Sequence, residues 1–558
     1  MTSNMELVRE GLGTAFNPNS PVWFTLLNGR VEDIYYPDLS TPQGRLELVL
    51  VDNKGQRLYE SDHLIRIIER PDPDVPIFRQ VNSDPMGSFR LSKLAFTDPK
   101  RACFLLHVRL EALQGVPTDY QMEVHWDAAP EQSPPTIVQQ PHGEGDWMVN
   151  NQKNGVAILA TSSAFIHDEN HKVSTTSSTS RIQIPEDGGF RLVMGFGATE
   201  EEAAQHVQET LRQSWTDILS QYRTEWQQYC KRLNDIDGWA SPLYYSSIML
   251  LKSLEDKAHP GAIAPSLSRP IQYTAESSYR MATAFWSAGD HKSAKVILRF
   301  LLKKQGTDGG FPRTFSLDPS LSPTPSCPHQ TAYALLLIWQ LEAIRSFQST
   351  VVPAVSFLIH HGGPHAPQKS SFPLHLAALR CAIDLGKTAG EVEMIRQWSS
   401  TLTSWEEQCS LPKEGEMAWM SWARLGILPA THPSLLKAAQ AFDQNHRQPT
   451  PYGPFWATDT ESEGKLPHLS VRLTGERGHY ELLCDRDPSL YLTALEQVGG
   501  NEETLSTFIT PKGEKMGETP DPLTHAEYIR LLVSQSWGKP CDLPLPPSGD
   551  EENTEFPL

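Results

Sequence analysis

A short polar stretch in the last fifth of the chain, LTGERGHYELLCDRDPSLYLTALEQ, has the residue types of a binding site. Gly475 and Gly478 flank Glu476 and Arg477, and an imidazole follows directly. Charged groups this dense, set between two glycines, are typical of loops that contact a ligand. We therefore predict a recognition loop that leads into a helix.

Other side chains could take part in the same chemistry. Carboxylates and imidazoles can move protons, and guanidinium or amide groups can hydrogen-bond the hydroxyls of a polar ligand. The predicted substrate-binding residues are Glu276, Arg280, Arg313, His329, Gln330, Glu476 and Arg477. His479, His525 and Glu527 are interpreted as structural groups that tie helix ends and loops together.

Cofactor and metal sites are not predicted. The histidines of the segment HHGGPH (His360, His361 and His365) include two neighbours whose side chains point apart, and glycines and a proline follow them. The chain has no glycine-rich phosphate loop before a helix and no Gly-x-Ser-x-Gly turn. We therefore predict neither a cofactor nor a metal, and the catalytic residues remain unassigned.

Composition narrows the class of partner. The net charge of −19 and the lack of a basic stripe argue against nucleic acid and anionic membranes, whereas a neutral sugar needs no charge. There is no run of about 18 apolar residues and no apolar segment at the N-terminus. The seven cysteines contain no CxxC pair. These features predict a cytoplasmic protein with a small carbohydrate, or another polar small molecule, as ligand.

Two different periodicities divide the chain. From Val22 to about Ala198, short alternating segments such as RLELVLVD are separated by turn signals, which predicts an antiparallel β-sandwich. At Thr199, a good N-cap followed by glutamates, the pattern becomes helical. We predict a sandwich domain over 1–198 and a linker helix over 199–238.

The rest of the chain is a series of helices. Ten or more apolar segments of helical period, separated by Gly/Pro loops, run from about Pro242 to Ser536. Paired helices closing into a ring, an (α/α)6 toroid, are predicted over 239–540, and an open helical array is the alternative. The segment 541–558 is Pro-rich and acidic and is predicted to be a disordered tail.

Several segments in order resemble one protein family. VWFTLLNGRVEDIYYPDLSTPQGRLELVLVD, GAIAPSLSRP, LTGERGHYEL and HAEYIRLL are similar to the bacterial and archaeal glucoamylases and glucodextranases. The resemblance covers nearly the full length. It implies a multidomain β + α protein, with a β-sandwich before an (α/α)6 barrel, and inverting hydrolysis of α-glucosides by two carboxyl groups.

The motifs that carry catalysis in this family are altered. The family's acid lies in a Trp-Glu-Glu motif that follows a segment like FLIHHGGPHAPQ, but here KSSFPLHLAALR follows it directly. Trp405-Glu406-Glu407 comes one helix later and is interpreted as a coincidence. The family's base aligns with Thr507–Lys512, which has no carboxylate; Glu496, Glu502 and Glu503 are the nearby alternatives.

The two glucose-holding motifs are altered as well, because they align with Thr274–Ser277 and Pro328–Gln330. Two classes of function follow. The first is a divergent hydrolase with relocated carboxylates such as Glu276 and Glu502. The second is a non-hydrolytic descendant, either a sugar-binding or regulatory protein or an enzyme with different acid/base chemistry through His329. A barrel mouth filled by side chains would instead indicate a scaffold.

Overall fold

The N-terminal part of the chain forms two antiparallel sheets. A computed structural model describes residues 8–52, 55–129, 134–139, 146–152, 155–166, 177–236, 241–366, 369–408, 418–458 and 467–544. The strands of the two sheets are β1 (Gly11–Thr14), β2 (Trp23–Leu27), β3 (Arg30–Tyr35), β4 (Pro42–Val51), β5 (Arg57–Tyr59), β6 (Ile65–Glu69), β7 (Phe78–Ser83), β8 (Phe89–Thr97), β9 (Cys103–Ala112), β10 (Gln121–Ala128), β11 (Thr136–Gln139), β12 (Asp146–Gln152), β13 (Gly155–Thr161), β14 (Phe165–Ile166), β15 (Ser177–Ile182) and β16 (Gly189–Gly197). A one-turn helix, α1 (Glu60–His63), follows β5.

The two sheets enclose an apolar core. One sheet has the order β1-β2-β3-β4-β10-β15-β14, with β5 also paired to β4, and the other has the order β11-β12-β13-β16-β9-β8-β7-β6. Phe104, Leu106 and Val108 of β9 alternate into the space between the sheets. Cys103 and Leu105 point to the opposite face and are equally buried. The second sheet is therefore buried on both faces, unlike a free-standing sandwich.

Two helices cover that second face. They are α2 (Glu200–Arg212) and α3 (Trp215–Cys230). The Thr199 hydroxyl accepts the N–H of Glu202, as expected for an N-cap. The predicted single linker helix is wrong, because α2 ends at Arg212 and a separate helix, α3, begins at Trp215.

Within the described residues, twelve α-helices form the remaining domain. They are α4 (Pro242–Ser253), α5 (Ala275–Ser287), α6 (His291–Leu302), α7 (Pro328–Gln340), α8 (Val352–His361), α9 (Phe372–Ala389), α10 (Val392–Glu407), α11 (Trp419–Arg424), α12 (Pro433–His446), α13 (Val471–Leu483), α14 (Ser489–Gly499) and α15 (Pro522–Trp537). Helices α5, α7, α9, α11, α13 and α15 pack side by side in that order, and α15 packs against α5. The ring is closed, which confirms the toroid and excludes the open array.

The other six helices form the outer layer, each against its inner partner. A small antiparallel sheet lies on the connections that precede α13 and α15. Its strands are β17 (Arg447–Thr450), β18 (Gly453–Ala457), β19 (Leu469–Ser470), β20 (Phe508–Ile509) and β21 (Lys515–Met516). Within the described residues, no helix has the length and apolar character needed to cross a bilayer.

The sandwich and the barrel share buried contacts. The Trp23 indole donates to the Ser253 carbonyl at 2.7 Å, and the Lys257 ammonium donates to the carbonyls of Ala15 and Ser20. The aromatic side chains of α3 belong to the same apolar cluster as the barrel helices. One continuous core therefore runs from the sandwich through the linker helices into the toroid.

Two predictions about local structure are wrong. Gly475 and Gly478 lie inside helix α13, not in a loop. A Cβ at Gly475 would lie 2.7 Å from the Glu527 side chain, so this glycine allows close packing of α13 on α15. The predicted tail is ordered at its start, because Cys541 and Asp542 are buried. The part of that tail from residue 545 onward lies outside the described residues.

Candidate functional site

The inner helices α5, α7 and α9 begin at the same end of the barrel, which we call the mouth. Glu276 is the second residue of α5, where Thr274 and Ser277 form a reciprocal cap. His329 is the second residue of α7, directly after Pro328. Ser371 immediately precedes α9. Three successive inner helices therefore each bring one polar side chain to the mouth at their first turn.

Glu276 is held in place by charge. Its Oε1 lies 3.0 Å from Arg280 Nε and its Oε2 lies 3.3 Å from His329 Nε2. Its backbone N–H donates to the Gln330 side chain at 2.9 Å. Burial by itself would raise the pKa of Glu276, but Arg280, His329 and Arg472 outweigh it and hold the pKa far below its usual range. Glu276 is therefore a carboxylate at neutral pH.

His329 connects this carboxylate to a hydroxyl. Its Nδ1 lies 2.8 Å from Ser371 Oγ, and its ring meets Tyr333 edge to face with 5.1 Å between centroids. Because ionised Glu276 can only accept, the neutral ring carries its proton on Nε2. Nδ1 is then the acceptor of the Ser371 hydroxyl proton. The result is a directed chain of hydrogen bonds from Ser371 through His329 to Glu276.

Arg280 joins the mouth to the interior. Its Nη1 lies 3.3 Å from Glu476 Oε1 and 3.8 Å from Glu527 Oε2. Arg472 Nε also approaches Glu476 Oε1, at 3.7 Å. The carboxylates of Glu276 and Glu476 are therefore held by one shared guanidinium.

A second charged cluster lies deeper inside the ring. Glu527 pairs with Arg530, and its Oε1 lies 2.8 Å from His479 Nδ1. Asp542, from the segment after α15, lies 2.6 Å from Arg530 and 2.5 Å from Arg424. Burial would raise the pKa of Glu527, but Arg530 and His479 hold it well below its usual range.

Only a small space remains between these groups. A cavity of about 100 Å³ is lined by residues of five inner helices and by Asp542: Tyr279, Arg280, Tyr333, Met420, Ser421, Arg424, Leu425, Glu476, Tyr480, Leu483, Glu527 and Arg530. Sites for small molecules typically have about 300–1,000 Å³. This cavity is therefore smaller than a typical small-molecule site, and ion-paired side chains share its lining with aromatic and apolar ones.

The predicted site residues separate into two groups. Glu276, Arg280, His329, Gln330 and Glu476 come together at the mouth. Their role as ligand contacts stays a prediction. Arg313 and Arg477 are the other group.

Arg313 and Arg477 do not join the mouth cluster. Arg313 is exposed in the loop before α7. Arg477 points to the outer helix α12, where its Nη2 lies 2.8 Å from Asp443 Oδ2. Glu476 and Arg477 are consecutive residues of helix α13, so their side chains point in different directions. The predicted loop would have allowed both to face one ligand.

The alternative carboxylates are engaged elsewhere. Glu496 accepts the hydroxyl of Tyr528 at 2.9 Å, and Glu502 lies 2.7 Å from Lys515 Nζ. Glu503 pairs with Arg70 of the sandwich. Glu406, in the displaced Trp-Glu-Glu, pairs with Arg380 on the outside of the barrel at 2.8 Å.

Sequence reasoning missed Ser371, Asp542 and Glu518. Glu518 lies in the connection before α15 and accepts the N–H of Leu267, from the connection before α5, at 2.8 Å. Burial raises the pKa of Glu518 to about 7. No motif marks these three residues. The prolines at the starts of α7 and α9 were the available signals that residues 329 and 371 begin neighbouring helices.

Known proteins resemble the chain along most of its length. Residues 8–167 and 167–231 match the family described as glucodextranase, domain N. A glucoamylase from Clostridium sp. (strain G0005) is 24% identical, over 96% of this chain and 91% of that protein. The crystal structure of a bacterial glucoamylase complexed with acarbose matches with a TM-score of 0.88 and 23% identity, over 97% of this chain and 95% of the other.

A more distant solved structure, a putative kojibiose phosphorylase from human microbiome, has a TM-score of 0.50 at 10% identity. It covers 94% of this chain and 83% of that one. At such identities the solved structures compare with this chain in fold alone. The predicted resemblance and the predicted β-sandwich with helical toroid are both confirmed.

Proposed function

We propose that the barrel mouth binds a small carbohydrate of the α-glucoside type and does not hydrolyse the glycosidic bond with the family's pair of carboxylates. The resemblance of the chain to glucoamylases supports the class of ligand. The observation that carries this proposal is the ion-paired state of Glu276. Its partners, Arg280 and His329, leave it ionised and engaged on both oxygens.

Inverting hydrolysis needs one carboxylic acid that donates a proton and a carboxylate that activates water, about 6.5–9.5 Å apart. Glu276 cannot donate a proton at neutral pH, because its pKa lies far below the usual range. Glu476 binds the same guanidinium of Arg280, and Glu527 is paired deeper in the barrel. These three carboxylates are arranged as an ion-pair network and not as an acid facing a base.

The same groups suit the recognition of sugar hydroxyls. The side chains of Glu276 and His329 are 28% and 26% exposed, so both can reach a ligand at the mouth. Carboxylate and imidazole groups can accept or donate hydrogen bonds to hydroxyls, and Tyr333 adds an aromatic surface beside His329. The glucoamylase of similar fold was crystallised with acarbose, which supports a carbohydrate as the class of ligand.

Calorimetric titration with acarbose, maltose and isomaltose tests this proposal, together with an assay for released glucose. We expect binding without glucose release. Glu276→Gln is expected to weaken binding about tenfold, or about 1.4 kcal/mol, since it removes a charged acceptor. Glu393→Gln, an exposed carboxylate on α10, is the matched control and should bind like the wild type. Absence of binding to all three sugars would refute the proposal.

One observation favours a second candidate, a rebuilt hydrolase. Environments that push the pKa values of two carboxyl groups apart can mark an acid and a base. Glu518, with its pKa raised to about 7, would be the acid and Glu276 the base. Glucose release that disappears in both Glu518→Gln and Glu276→Gln, with folding intact, would establish this candidate in place of the first.

A cytoplasmic location is also part of the proposal. It is supported by the cysteines, since none of the six that the structure describes forms a disulfide. Cell fractionation of a tagged chain would test it.

A further inference from the structure

The hydrogen-bond chain at the mouth joins a serine, a histidine and a carboxylate, which are the residue types of an activated nucleophile. Ser371 Oγ lies 2.8 Å from His329 Nδ1, and His329 Nε2 lies 3.3 Å from Glu276 Oε2. A hydroxyl, a base within hydrogen-bond reach and a third group that orients the base are the geometric signature of an activated nucleophile. The signature is recognised by geometry and not by the order of residues in the chain.

Neighbouring side chains hold Glu276 and His329 in the positions that this arrangement needs. Arg280 holds Glu276 from the side opposite His329, which fixes the carboxylate that receives the imidazole N–H. Glu276 has the low pKa of a carboxylate that orients a histidine without taking its proton. The Tyr333 ring packs edge to face on the imidazole and limits its rotation. His329 is therefore held with Nδ1 directed at the hydroxyl.

The position of Ser371 adds an electrostatic contribution. It immediately precedes α9, a helix of 18 residues. The partial positive charge at the start of a helix favours negative charge on the serine oxygen and on an oxyanion next to it. Ser371 is only 3% exposed, whereas His329 and Glu276 face the mouth. The Ser371 hydroxyl is therefore the buried end of the chain of hydrogen bonds.

We propose that Ser371, His329 and Glu276 form a nucleophilic triad that cleaves acyl esters at the barrel mouth. Ser371 Oγ attacks the acyl carbonyl carbon, and its proton passes to His329 Nδ1. The bond between the acyl carbon and the alcohol oxygen breaks, and the alcohol leaves with that proton. Water then attacks the acyl-serine and loses a proton to His329. The bond between the acyl carbon and Ser371 Oγ breaks, His329 returns that proton to Oγ, and the carboxylic acid leaves.

An O-acylated sugar is the substrate class that joins this chemistry to the mouth. The sugar part rests on the proposed function, whereas the serine chemistry does not. The sugar ligand and the serine nucleophile can therefore be refuted independently, because calorimetry measures sugar binding and covalent labelling measures the reactivity of Ser371.

Because the hydroxyl is buried, the test uses a small reagent, diisopropyl fluorophosphate, with intact-protein mass spectrometry and peptide mapping. We expect one adduct, on Ser371, and no adduct in Ser371→Ala. His329→Gln should slow labelling by about 10²- to 10⁴-fold, the usual contribution of a general base. Ser370→Ala is the matched control, since its exposed neighbouring hydroxyl lies outside the triad, and it should label like the wild type.

The wild-type peptide map decides the matter even where a variant folds poorly. An unlabelled wild-type protein, or an adduct at any residue other than Ser371, would overturn the triad and leave the three residues as a structural network. Labelled Ser371 in a protein that binds no sugar would refute the sugar proposal alone. Hydrolysis of p-nitrophenyl acetate, lost in Ser371→Ala and kept in Ser370→Ala, would add turnover to the labelling result.

Discussion

At the scale of single residues, opposite environments act on two carboxyl groups near the mouth. Arginine and histidine partners keep Glu276 ionised, while burial favours the protonated form of Glu518. Glu276 lies in the first turn of α5, and Glu518 lies in the connection that precedes the neighbouring inner helix α15. Measuring the pKa values of Glu276 and Glu518 would therefore report on the electrostatics of this end of the barrel.

Glu518 makes stability depend on pH in a defined direction. The pKa of Glu518 is about 7 in the folded protein, whereas an exposed glutamate in the unfolded chain has a pKa of about 4.5. Between these two pH values the folded state therefore binds more protons than the unfolded state. The free energy of unfolding of the wild type, relative to Glu518→Gln, should fall between pH 4.5 and 7, by on the order of 2 kcal/mol. Urea titrations across this range measure it. The exposed Glu393→Gln variant should show no such trend, and a flat difference for Glu518→Gln would contradict the prediction.

At the scale of elements, close contact between inner helices determines the shape of the ring. Glycines of α13 face α15, and a Cβ at Gly478 would lie 2.7 Å from Leu531 Cδ2. The side chains that fill the interior, Glu527 and Arg530, project from the same stretch of α15. A small change in the distance between these helices would therefore disturb the ion-pair network.

Gly475→Ala should be destabilising although alanine favours helix. The added methyl would overlap the Glu527 side chain, whose ion pairs restrict its movement, and overpacking of this kind costs about 1–3 kcal/mol. Gly386→Ala in inner helix α9 is the comparison, because its closest contact is the Ile395 side chain at 3.2 Å. Thermal unfolding of both variants should show a larger loss for Gly475→Ala. Equal losses would mean that α13 and α15 separate freely.

At the scale of the whole molecule, sandwich, linker helices and barrel share one core. Arg70 of the sandwich reaches across to Glu503 and Ser246 of the barrel. The side chain of Arg70 is largely buried there, so the contact is a desolvated ion pair between domains. Because the two domains also share one apolar cluster, we expect them to unfold together.

Calorimetry should show a single unfolding transition, and Arg70→Met should lower stability by about 3–5 kcal/mol, because the Glu503 charge loses its partner. Arg396→Met removes an exposed pair on α10 and should change stability by less than about 0.5 kcal/mol. Two separate transitions in the wild type would show that the domains fold independently.

The order of elements was predictable from the sequence alone. The change of period at Thr199 and the Gly/Pro breaks between apolar segments are local signals, and each element forms largely from its own pattern. The resemblance of several segments to glucoamylases then indicated how the helices close. The single linker helix was predicted wrongly, because packing of α2 and α3 on the second sheet decides where that helix breaks.

What only the tertiary structure decided is which side chains meet. Glu276, His329 and Ser371 lie 53 and 42 positions apart, yet they form hydrogen bonds because each begins one of three adjacent inner helices. Gly475 was predicted to lie in a loop. It lies instead in a helix, where it allows α15 to pack closely, and the sequence does not show which helix packs there. Local patterns determine helices and strands, whereas the site depends on contacts between elements that no local pattern encodes.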